Sequence, residues 1–185
     1  MKTKEDKISA GESKLPLQTS AVRRASAKAL VETAVMSAML VAGKLALSFI
    51  PNVEVVTTLV IVFGVSFGFK AVAATLIFCT ADMFLYAFSI DVAIAYFIYW
   101  DALAAAAAIM SRLGIKAGYA YLILAFVGTL TFGVFTTLTF SLIYSVPFAP
   151  VYVAGLPFYA AQLLSSLVFM SVGFAPLCRV LCRIR

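Results

Sequence analysis

With 185 residues, 64% of them hydrophobic, 12% charged, and a mean hydropathy of +1.07, the chain lies far outside the composition of soluble domains, of which about a quarter is charged. That excludes a soluble fold and leaves an integral membrane protein with one bundle of helices. The net charge of +6 and pI near 9.3 do not call for nucleic acid, because the cations lie beside apolar runs, where retention of Lys and Arg in the cytoplasm explains them.

Residues 1–28, "MKTKEDKISAGESKLPLQTSAVRRASAK", are polar and mostly basic. A secretory signal would place a short apolar core sooner and follow it with small residues, so this stretch reads as a retained cytoplasmic tail. Apolar runs follow at 29–50, 53–68, 70–89, 92–112, 117–143 and 156–178, each matching one tilted spanning helix. The expected fold is an all-α bundle of six transmembrane helices over residues 29–182, with 183–185 as a cytoplasmic end. The second run, "VEVVTTLVIVFGVSFGF", is short and β-branched; with Gly64 and Gly68 it predicts a helix that is bent, tucked beside its neighbours, or re-entrant. Cations precede helix 1, separate helices 2 and 3 (Lys70) and helices 4 and 5 (Arg112, Lys116), and follow helix 6 (Arg179, Arg183, Arg185). All fall on one side if both termini are cytoplasmic. The external connections are then "FIPNVE", "AFSID" and "IYSVPFAPVYVAGLP".

Several polar groups lie inside the apolar runs. At about 1.5 Å per residue from the external ends, Lys44, Asp82 and Gln162 come out roughly 9 Å deep and Asp101 about 15 Å deep. An ionisable group facing lipid costs at least about 2.5 kcal/mol, so these side chains should turn toward the bundle interior or a water-filled cavity. Lys44 either forms an ion pair that pins helix 1 to helix 3 or 4, or touches a ligand. Asp82 and Tyr86 are one turn apart on helix 3 and face the same way. On helix 4, Asp101 shares a face with Phe97, Ala104, Ala105 and Ala108. The alanine run Ala104–Ala108 offers a thin surface for close packing. In the first external loop Pro51 fixes the turn, and Asn52 and Glu54 can hydrogen-bond or cap the next helix. Gln162, Ser165 and Ser166 can read a ligand or bond across helices. Glu32, four residues after Lys28, reads as half of a solvated helix pair. The small residues Ala34, Ala38 and Ala42 line one face of helix 1.

Three cysteines and no histidine argue against a zinc site, since the usual nitrogen ligands are missing; no metal and no cofactor are expected. Cys178 and Cys182 share a helical face and read as inert packing.

In their order along the chain, the alanine face of helix 1, "PNVE", "YFIYWDALAAAAA" and "YVAGLPFYAAQLLSSLVF" before a basic C-terminus resemble the substrate-binding S component of an energy-coupling factor (ECF) vitamin transporter. The resemblance covers residues 29–182. It implies a substrate held in the outer half of the bundle, with contacts at Asn52 and Glu54, at Trp100 and Asp101, and at Tyr159 and Gln162; Asp82 and Tyr86 join this set on depth and facing alone. It also implies that Ala34, Ala38 and Ala42 pack on a transmembrane scaffold subunit driven by two cytoplasmic ATPase subunits. Helix 6 offers "AQLLSS" where many relatives carry histidine or asparagine, so no vitamin is assigned. The chain has no G-x-x-x-x-G-K-[ST] loop and would take its power from such partners. The rivals are an autonomous proton-coupled carrier relaying protons through Lys44, Asp82 and Asp101, and an intramembrane aspartyl enzyme built on Asp82 and Asp101, for which no catalytic residue is otherwise expected.

Overall fold

The computed structural model describes residues 15–50, 53–86 and 89–184. Backbone groups in an apolar medium must be satisfied within their own segment, and the described chain is helical throughout: α1 (Leu15–Leu47), α2 (Val56–Phe67), α3 (Lys70–Tyr86), α4 (Ile90–Arg112), α5 (Gly118–Tyr144) and α6 (Phe148–Ile184). Four of them are long and apolar enough to cross a membrane, over Arg24–Leu47, Ile90–Arg112, Gly118–Tyr144 and Phe148–Leu181.

The short β-branched run forms the hub. α2 has 12 residues, ten of them buried, and reaches only about 18 Å. It touches all five other helices, and these surround it in the order α1, α3, α4, α5, α6. A helix that is apolar on every side needs this environment, and burial on all faces outweighs the modest helix preference of Val and Thr. α2 ends at Gly68, whose φ of +65° lets the chain turn within two residues into α3. The seam with α4 is tight because both sides are small: a Cβ added at Gly64 would meet the Ala107 Cβ at 2.7 Å and the Ala104 carbonyl oxygen at 2.9 Å. The alanine run thus acts as the close-packing surface expected of it.

Two boundaries differ from the sequence expectation. α1 begins at Leu15, fourteen residues before the apolar run, because Ala, Leu, Lys and Arg favour helix with or without a membrane. The long external connection expected over 143–157 shrinks to residues 145–147, since α6 resumes at Phe148. Pro150 lies in its first turn, where the missing N–H costs no hydrogen bond. At 37 residues, α6 is about 55 Å long and exceeds a hydrocarbon core of about 30 Å.

The ring of helices does not close among the described residues: α1 packs on α2 and α3, α6 packs on α2 and α5, and no contact joins α1 to α6 there. The gap between them is where polar residues collect.

Candidate ligand-binding cavity

A cavity of about 300 Å³ lies between the C-terminal end of α1, the segment entering α2, and α6. Its polar wall is Lys44, Ser48, Glu54 and Gln162, and its aromatic wall is Tyr86, Tyr96 and Phe132.

Lys44 is the most heavily engaged side chain. Its ammonium donates to the Asp82 carboxylate and, at 3.4 Å, to the Tyr96 hydroxyl. It also lies over the rings of Tyr96 at 4.6 Å, Tyr86 at 5.1 Å and Phe78 at 5.9 Å, so ring quadrupoles supplement the ion pair. Asp82 is 1% exposed. The ion pair between helix 1 and helix 3, one of the two alternatives in the sequence, is thus formed, and it leaves Lys44 on the cavity wall.

Glu54 is held differently. The N-cap of α2 is Val55 with no side-chain cap bond; Glu54 does not cap the helix and turns across the gap instead. Its Oε2 accepts from Gln162 Nε2 at 2.6 Å, and its backbone N–H donates to Ser165 Oγ at 3.2 Å. Ser165 Oγ in turn donates to the Gln162 carbonyl at 2.9 Å. Loss of water pushes the Glu54 carboxyl above its ordinary value, with Gln162 and then Lys44 pulling it down and Asp82 adding to the rise.

The remaining candidates fall elsewhere. Asp101 accepts from Thr75 Oγ1, seven residues from Asp82 on α3, or about 10 Å along the axis. The two aspartates therefore engage different partners and do not share a hydrogen bond. Trp100 is fully buried against Phe78, Tyr96, Tyr99 and Phe132 and backs the cavity through Phe132 without lining it. Tyr159 fits against Gly133 and Gly155 and bonds Thr137 at 2.7 Å, sealing α5 to α6 outside the cavity wall. Asn52 lies outside the described residues. Ala34, Ala38 and Ala42 are all exposed on α1. Glu32, expected to pair with Lys28, takes the closer Lys70 of α3 at 2.5 Å, with Lys28 at 3.7 Å.

Tyr96 and Phe132 were not among the ligand contacts expected from sequence. Tyr96 carried a signal, as one of the aromatics gathered on the external half and one helical turn before Trp100; Phe132, mid-way in a uniformly apolar helix, carried none.

Compared with known proteins, the chain matches no family model, no curated protein and no solved structure.

Proposed function

We propose that this chain is the substrate-binding subunit of an ECF-type importer, a six-span membrane protein with cytoplasmic termini that captures a vitamin or related small metabolite from outside the cell. The observation that carries the reading is the cavity: about 300 Å³ walled by Lys44, Glu54, Gln162, Tyr86, Tyr96 and Phe132, inside a bundle with four helices of spanning length and apolarity. Its volume is at the small end for ligand sites, and its mixture of apolar walls with a few convergent polar groups is what such sites use. Charged groups at membrane depth mark substrate pathways.

In this reading α1 serves two surfaces. One face holds Lys44 in the cavity; the exposed Ala34, Ala38 and Ala42 present a thin stripe on which a scaffold helix can pack closely. Ligand binding closes the gap between α1 and α6, and partner ATPases drive the bundle against the scaffold to release the ligand inside. The subunit itself is not catalytic. The separate partners of Asp82 and Asp101 favour this reading over an aspartyl dyad, whose two carboxyls would have to meet.

The test is gentle purification from native membranes followed by mass spectrometry of everything retained. The expected result is one small molecule together with a membrane scaffold and ATPase subunits. Concentrative uptake by the isolated chain in liposomes under a pH gradient alone would replace this reading with that of an autonomous carrier.

A further inference from the structure

The cavity wall carries one acid, Glu54, and one base, Lys44, and the base is paired with a second acid, Asp82, that is not part of the wall. Lys44 is committed to Asp82 by a direct contact, and its ammonium also occupies the ring faces of Tyr86 and Tyr96. Glu54 receives a single side-chain hydrogen bond among the described residues, from the neutral amide of Gln162. Among the described residues, the charged groups acting on Glu54 are Lys44 from α1 and Asp82 from α3, so one ammonium faces two carboxylates. The three together leave one negative charge, centred on Glu54 at the cavity wall.

A shielded carboxylate without a cationic partner is costly, and a cation supplied by a ligand removes that cost. The position of that cation is also defined. Lys44 already lies over the rings of Tyr86 and Tyr96, which leaves Glu54 as the unmatched anionic group on the wall. Beside it, Phe132 and Tyr96 meet at 5.8 Å between ring centroids and offer an apolar surface to a planar body.

We propose that the cavity takes a small organic cation with a planar body, its positively charged nitrogen bonded to Glu54 and its ring against Phe132 and Tyr96. The proposal rests on the cavity being the ligand site, as in the function proposed above, and names the chemical class of that ligand. An anionic ligand would have to approach Glu54 and Asp82 while competing with Asp82 for Lys44.

The test uses three probes of one shape and different charge: benzamidinium, benzamide and benzoate. Trp100 is the only tryptophan and lies 6.2 Å from the Phe132 ring, so its fluorescence reports on the cavity wall in the full chain held in detergent or nanodiscs. Benzamidinium should bind best, and E54Q should weaken it by roughly ten- to a hundredfold, the worth of one charge-assisted hydrogen bond, without the same loss for benzamide. Should E54Q fail to fold, the exchange E54Q/Q162E, which keeps both side-chain types and moves the carboxylate to α6, should retain the preference for benzamidinium; indifference to charge in that variant would overturn the proposal. Preference of the unaltered protein for benzoate or benzamide would keep the cavity as a ligand site and overturn the cationic class. Binding of none of the three would overturn both.

Discussion

The two ends of α2 are built on opposite principles. At Gly64 the helix meets Ala104, Ala107 and Ala108, all of them 0% exposed, and stability there comes from backbone approach and dispersion. At its start, near Val55, the neighbouring side chains stand apart and the space fills with Lys44, Glu54, Gln162 and three aromatic rings. One end is a dry seam that tolerates no added atom, and the other is a polar gap that α1 and α6 leave open. A bundle can carry a binding cavity at one end when the other end is packed this closely.

Breaking the polar end should have the largest effect. D82A leaves the Lys44 ammonium buried beside Asp82's former position and should cost about 3–5 kcal/mol, read as a lowered unfolding midpoint in detergent; adding K44M should recover much of the loss by removing the stranded charge. The dry end comes next. G64A should cost about 1–3 kcal/mol because the atoms it meets belong to the α4 backbone and Cβ positions, which cannot move aside. By contrast G43A, whose Cβ would meet only the tips of Leu59 and Val55 at 3.0 and 3.1 Å, should be close to neutral, since alanine favours helix by about as much as the contact disfavours it. A subtler probe of the polar end is pH. Because burial raises the Glu54 carboxyl above 4.5, the unliganded native state keeps a proton that the unfolded chain has lost. Its stability should therefore fall as pH rises from 4.5 through the raised value, and E54Q should remove that slope. A small loss is also expected at Lys70 and Glu32, remote from both ends. Lys70 is 45% exposed, so K70A should cost less than about 1 kcal/mol and matter less in high salt.

What could be read from the sequence follows the same division. Depth counting along helices brought Lys44, Asp82 and Gln162 to one level, and apolar runs marked six helices, because both depend on local periodicity. The partners of Lys44 and Glu54 depend on which helices are neighbours. That is a property of the whole bundle, and no short stretch of sequence carries it. Trp100 and Asp101 illustrate the limit: both belong to the helix that backs the cavity, yet one is enclosed by Phe78, Tyr99 and Phe132 and the other is bonded to Thr75. Nor did proline and tyrosine content predict that residues 148–157 continue as helix, since proline in a first turn and proline in a loop look alike in sequence.

The central claim of the proposed function is that the cavity bordered by α1 and α6 opens to the outside of the cell. The most direct test is to place a cysteine at Leu47, on the cavity wall, and another at Thr80, which is exposed on α3 within the expected third span and is not part of that wall, in a background without the three native cysteines. A membrane-impermeant thiol reagent is then added to intact cells. L47C should react from outside and T80C should not. If L47C reacts only after the cells are permeabilised, or not at all, the cavity does not open to the outside and the account fails.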